Sequence, residues 1–175
     1  MFTKNWYIAL TTQLGADDNS KEYLTSFTGQ TGISYSTTYV NMLNSGAKYP
    51  CIARLATTSV VNSTTGVIIG SGNTPPTIND YKLENRITTP ATASAEVSKT
   101  RDENGYTITS LLTITNTHSE DITIAEIGLY STGSNSSAEM NMVLFERTVL
   151  DTPVTIPAGG IGQVTYTIRM NYPTA

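Results

Sequence analysis

In 175 residues the chain carries 10 Lys and Arg against 14 Asp and Glu, a net charge near −4 and a pI near 4.9, which leaves no basic run to neutralise phosphates and excludes a nucleic-acid binder. Charged residues total 14% against ~25% in an average domain, while 31 Thr, 16 Ser and 13 Asn fill about a third of the chain; this predicts an all-β protein with polar, uncharged outer faces. The single Cys51 excludes an internal disulfide and a Cys-based zinc site, and no apolar stretch reaches the ~18–20 residues of a membrane span.

The first third is irregular. The apolar run Trp6-Tyr7-Ile8-Ala9-Leu10 is too short for a secretory signal and no small-residue cleavage site follows, so export through the secretory pathway is not expected. Residues 6–14 predict a strand, and residues 39–46 one or two helical turns ended by Gly46. Residues 52–61 and 67–69 predict strands joined by 62–66. Gly70-Ser71-Gly72-Asn73-Thr74-Pro75-Pro76 is a hard break, and residues 77–85 predict a short helix behind the prolines.

The rest is more regular. Residues 106–116 alternate with period two: Tyr106, Ile108, Leu112 and Ile114 share one face, and Thr107, Thr109, Thr113 and Thr115 the other, as in a half-buried strand. Residues 116–121 predict a turn. In residues 122–130 the apolar parity changes, with Ile122 and Ile124 on one face and Ile127 and Leu129 on the other; a one-residue bulge near Ala125 and Glu126 would restore one buried face. Residues 131–139 predict a loop and 140–150 a strand apolar on both faces. Residues 153–157, flanked by prolines, predict a separate short edge strand. A turn at 158–160 leads into residues 163–170, where Val164, Tyr166, Ile168 and Met170 face inward. Eight or so strands with turn signals every 8–12 residues predict a β-sandwich of jelly-roll or immunoglobulin-like type, with residues 1–50 as an irregular N-terminal arm available to bridge subunits and 51–175 as the sandwich domain. At 18.8 kDa the chain buries ~70% of its unfolded surface, enough for one core.

Chemistry-bearing patterns are sparse. His118 lies in a polar turn without metal-ligand spacing around it. Gly70-Ser71-Gly72 follows a strand, as a dinucleotide fingerprint does, but the third glycine is missing and prolines replace the helix start. Asp17-Asp18-Asn19 lacks the glycine and glutamate of a calcium loop. Asn62-Ser63-Thr64 and Asn135-Ser136-Ser137 match the glycosylation pattern, which stays idle without export. Glu126 and Glu146 sit inside apolar strand patterns, so each needs a partner if buried; Arg147 and Arg169 are the candidates. No catalytic, cofactor-binding or metal-binding set is predicted. Ten tyrosines and Trp6 suit a protein interface, and Tyr23, Tyr35, Tyr39, Tyr49 and Tyr81 lie in the irregular first half. The alternative use of such rings is a glycan-binding adhesion surface.

Four segments together resemble tailed-bacteriophage virion structural proteins. The first is Gly70-Ser71-Gly72-Asn73-Thr74-Pro75-Pro76 leading to Asp80-Tyr81-Lys82-Leu83. The second is Ile124-Ala125-Glu126-Ile127-Gly128-Leu129-Tyr130 and the third Met142-Val143-Leu144-Phe145-Glu146-Arg147. The fourth is residues 153–160 running into the alternating 164–170 strand. The likeness covers about two-thirds of the chain, roughly residues 60–172, and residues 1–49 lie outside it. It implies a non-enzymatic component of the virion (neck, tail or capsid-associated), assembled in the host cytoplasm and acting through homo-oligomeric contacts and contacts to capsid, portal, neck or tail subunits. It also implies structural roles: Glu126 pairing with Arg147 or capping loop amides, and Gly128 permitting close backbone approach or the bulge. Trp6, Tyr39 and Arg169 complete the expected interface candidates.

Overall fold

A computed structural model of the chain describes residues 1–8, 26–29, 34–36, 66–88, 91–131 and 143–173. The protein is built from β-strands, as the composition predicts. Strands β1 (Ser26–Thr28) and β2 (Ser34–Ser36) form a small antiparallel pair. Strands β3 (Gly66–Gly70), β6 (Ile122–Ser131) and β7 (Val143–Ile156) form one antiparallel sheet in the order β3-β6-β7. Strands β4 (Ala91–Asp102), β5 (Gly105–Asn116) and β8 (Ile161–Asn171) form a second, in the order β4-β5-β8.

The two three-stranded sheets share one core. Val67 and Ile69 of β3, Ile122, Ile124, Ile127 and Leu129 of β6 and Ile156 of β7 meet Leu112 and Ile114 of β5, with Ala95, Ile108, Val164, Tyr166 and Ile168 packed at the margin. Burying each such Ile or Leu contributes about 1.5–3 kcal/mol. The opposite face of β3-β6-β7 is also covered: Ile68, Tyr130 and Leu144 surround Leu83, which comes from the long connection after β3.

Several elements depart from expectation. Residues 4–8 make one helical turn where a strand over 6–14 was expected; Asn5 directs its side chain to the backbone of Thr28 and to the Leu144 carbonyl, which fixes the turn against β7. Residues 77–85 form turns and bends, with no helix. Here a distant carboxylate takes amides that a helix would use: Glu126 accepts from those of Glu84 and Asn85. Residues 153–157 are no separate strand, because β7 runs through Pro153. Proline is tolerated on a sheet-edge strand, where its missing N–H faces no ladder partner. The parity change falls between Ile124 and Glu126 as expected, but it is wider than one residue: β7 sets residues 150–153 opposite Ala125 alone. Strand β4 has no counterpart in the expected elements; seven of its twelve residues are Ala, Ser or Thr and Val97 is its one large apolar residue, so its alternation carries almost no hydropathy contrast. The expected elements at 39–46 and 52–61 lie outside the described residues.

The chain crosses between the sheets three times, after β3, after β5 and after β7. Gly159, at φ +70°, is the third residue of the last crossing turn, closed by the Gly160 amide on the Pro157 carbonyl at 2.8 Å. Only that conformation completes a type II turn, and glycine adopts it without steric cost.

Candidate functional site

Three of the four segments that carry the resemblance meet at one place, the face of β3-β6-β7 turned away from the core; the fourth runs from the end of β7 into β8 of the other sheet. Its centre is Glu126, fully buried on β6. Its Oε1 accepts the Gly72 amide at 3.1 Å and the Asn85 amide at 2.7 Å; its Oε2 accepts the Glu84 amide at 3.1 Å and the Arg147 Nε at 2.7 Å. A carboxylate offers about four lone-pair sites, so this side chain is saturated and keeps none for a substrate proton.

Arg147, on the neighbouring strand β7 and itself buried, extends the network. Its Nη1 reaches Asp80 Oδ2 at 2.9 Å and its Nη2 reaches Glu84 Oε2 at 3.4 Å. Those two acids organise the connection in turn. Asp80 accepts the Thr77 amide and hydroxyl, and Glu84 accepts the Asn73 and Thr74 amides. Residues 70–86 are thereby fastened to the sheet through four charged side chains and one apolar anchor, Leu83, whose amide donates to the Tyr130 hydroxyl at 2.7 Å. Gly70 and Gly72 leave room for the carboxylate: a Cβ would lie 2.5 Å and 2.7 Å, respectively, from Glu126 Oε1. The Gly-Ser-Gly run is thus shaped around a side-chain anion of the chain itself.

Gly128 faces Leu83. A Cβ there would sit 2.8 Å from Leu83 Cδ2, 2.9 Å from Leu144 Cδ1 and 3.1 Å from Tyr130 Cε2. The glycine serves close side-chain packing and lies between two strand irregularities, one at Ile124/Glu126 and one at Leu129/Tyr130. Gly128→Val is expected to lower stability by about 1–3 kcal/mol by displacing Leu83. The check is a denaturant midpoint that falls at constant slope.

The other candidates are dispersed. Arg169 lies on the second sheet, where it grips Asp102 with both terminal nitrogens at 3.0 Å and donates to Thr107 Oγ1. It does not meet Glu126 or Glu146. Trp6 stacks on Phe2 at 4.7 Å and meets Phe145 edge-on at 5.8 Å. Residues 1–3 run beside β7 of their own chain, with the Thr3 amide on the Phe145 carbonyl and the Arg147 amide on the Met1 carbonyl. Tyr23, Tyr39, Tyr49, Asp17, Asp18, Cys51, Asn62 and Asn135 lie outside the described residues. Glu146 bonds the Met1 amino group at 2.6 Å and the Tyr166 hydroxyl at 3.0 Å, joining the two sheets. His118 Nδ1 accepts the Glu120 amide within its turn. Among the described residues no group of three or more His, Cys, Asp or Glu could hold a metal ion, and no helix is long and apolar enough to cross a membrane.

Sequence reasoning passed over Asp80, Glu84 and Asn116. Asn116 is fully buried and clasps the crossings after β5 and after β7: its Nδ2 donates to the Glu120, Ile156 and Pro157 carbonyls and its Oδ1 accepts the His118 amide. Its signal was available, since it continues the inward parity of Leu112 and Ile114, and a polar group there must be satisfied. Asp80 had a weaker signal in the Thr-x-x-Asp spacing from Thr77. Glu84 had none.

The network predicts an acid limit to stability. Burial opposes ionisation of Asp80, but Arg147 and Thr77 together hold its carboxyl below the ordinary 3.8. Hydrogen bonds from Thr74 hold Glu84 below 4.5. With folded values below unfolded ones, the stabilisation is complete above the ordinary carboxylate range and is lost as pH falls through the lowered values. The melting temperature is expected to stay level down to about pH 5 and to fall steeply below it, more gently in Asp80→Asn. At the alkaline end, burial pushes Tyr130 up to about 12; Tyr166 is raised as well, by burial and then by the Glu146 charge.

No protein-family model, curated protein or solved structure matches the chain.

Proposed function

We propose that this chain is a structural component of a tailed-phage particle, placed at the neck, in the tail or on the head, and that it works by association with copies of itself and with other virion proteins. In this reading the two sheets form a sandwich of the jelly-roll or immunoglobulin-like class. The observation that carries it is the outward face of β4-β5-β8. Strand pairing sets Ser98, Thr109 and Thr167 in one row across that face, Glu96, Leu111 and Thr165 in the next, and Ser94, Thr113 and Gln163 in a third. The β4 and β8 members of these rows are exposed. Along these rows Glu96 is the only charge, and Arg169 is already matched by Asp102. Covering hydroxyl-lined strands with protein avoids the desolvation penalty of burying ions.

Supporting it from the other side, Glu126 and Arg147, two of the residues that carry the resemblance, are consumed in holding a loop to a sheet, a scaffold role. A glycan surface would need adjacent free rings; among the described residues Trp6 is stacked on Phe2, and Tyr130 and Tyr166 are spent on inner hydrogen bonds, which takes these three rings from such a surface. The test is mass spectrometry of purified particles from the phage encoding the chain. The expected result is the chain in stoichiometric copy number; its absence from the particle refutes the reading.

A further inference from the structure

We propose that residues 72–85 form a strap that opens as a unit ahead of the rest of the protein, held shut by the Glu126 carboxylate and its Arg147 partner. The strap has closed ends. The Ser71 amide donates to the Asn85 carbonyl at 2.8 Å, the Asn85 side chain to Ser71 Oγ at 2.6 Å and the Ile87 amide to the Ile69 carbonyl at 3.1 Å. Such a neck makes residues 72–85 an Ω-loop, whose interior can detach while its ends stay pinned. Within it only Gly72 and Leu83 are buried; residues 73–75, 77–79 and Glu84 are exposed. The strap therefore has one apolar anchor, and its remaining hold is polar. It consists of three amides on Glu126 or the Tyr130 hydroxyl beyond the neck, the Asp80 and Glu84 contacts to Arg147, and the Lys4 amide on the Ile78 carbonyl at 2.7 Å.

Opening returns Glu126 and Arg147 to water. That recovers their desolvation penalty and offsets much of the lost pairing, whereas opening the two sheets exposes the shared Ile and Leu core with no such return. The two events therefore separate in free energy, as low-stability units of native proteins do. Leu83 lifts from Ile68, Tyr130 and Leu144 when the strap opens, uncovering an apolar patch on the otherwise finished sheet.

Native-state hydrogen exchange on the whole chain tests this. In the wild type, the amides of Gly72, Asn73, Thr74, Glu84 and Asn85 should exchange together, and faster than those of β5 and β6. Glu126→Gln presents an NH2 group where the carboxylate accepted donors, and it should speed the strap amides roughly 10- to 100-fold. Asp80→Asn, which leaves no buried orphan, should speed them a few-fold. Ile114→Val, which thins the shared core and touches nothing in the strap, should speed the β5 and β6 amides several-fold and leave the strap amides unchanged. Strap and core amides accelerating in step in Ile114→Val would overturn the proposal. So would strap amides that respond to neither Glu126→Gln nor Asp80→Asn.

Discussion

Arg147→Leu is expected to destabilise the protein by about 3–5 kcal/mol, the range for removing one member of a buried ion pair. The guanidinium answers Glu126, Asp80 and Glu84 at once, and burial, which disfavours its charge, is outweighed by Asp80 and Glu126, so that its pKa is raised above that of a free guanidinium. Deleting it leaves the buried Glu126 anion with amide donors only. For a chain of this size the loss corresponds to a drop of about 6–20 °C in melting temperature. The double variant Glu126→Leu/Arg147→Leu is not expected to recover, although many buried pairs can be replaced by hydrophobes at no loss. Glu126 also accepts the Gly72, Glu84 and Asn85 amides, and a leucine there strands them. Thermal unfolding of the two single variants and the double measures the coupling. A double variant as stable as wild type would show that the pair is dispensable and the network description wrong.

The second large effect is expected at Asn116. Asn116→Ala strands the carbonyls of Glu120, Ile156 and Pro157 and the His118 amide, all beside the crossings after β5 and after β7, for a loss of about 3 kcal/mol or more. Asn116→Asp should do no better, because it turns a carboxylate oxygen toward three carbonyl oxygens where an NH2 group donated. Chemical denaturation distinguishes this from a local defect: the midpoint should fall for both variants. If Asn116→Asp proved as stable as wild type, the clasp would carry no weight.

Legibility in the sequence followed hydropathy contrast. Strand β5 was plain because Ile108, Leu112 and Ile114 alternate with threonines, and β8 because Val164, Tyr166 and Ile168 do the same. Strand β4 was invisible because Ala93 and Ala95 differ little from the Ser and Thr between them. Glu126 and Arg147 stood out as charges within apolar strands, a local signal. The carboxylates that complete their network, Asp80 and Glu84, sit in an exposed proline-flanked connection where acids are ordinary. Their meaning arises only when the strap folds back 60 or more positions onto β7, a contact between segments that periodicity does not register. The helix expected over 77–85 failed for the same reason, since distant carboxylates outbid the local i→i−4 pattern for its amides.

The account rests on the threonine-lined face of β4-β5-β8 being covered by protein. Sedimentation velocity of the chain, alone and as Thr109→Arg/Thr167→Arg, tests this most directly, because these neighbours in one cross-strand row put two cations in the middle of that face without touching the core. The expected result is a discrete oligomer for the wild type and a folded monomer for the variant. A wild type that is monomeric at every concentration, or an oligomer indifferent to the two arginines, would contradict it.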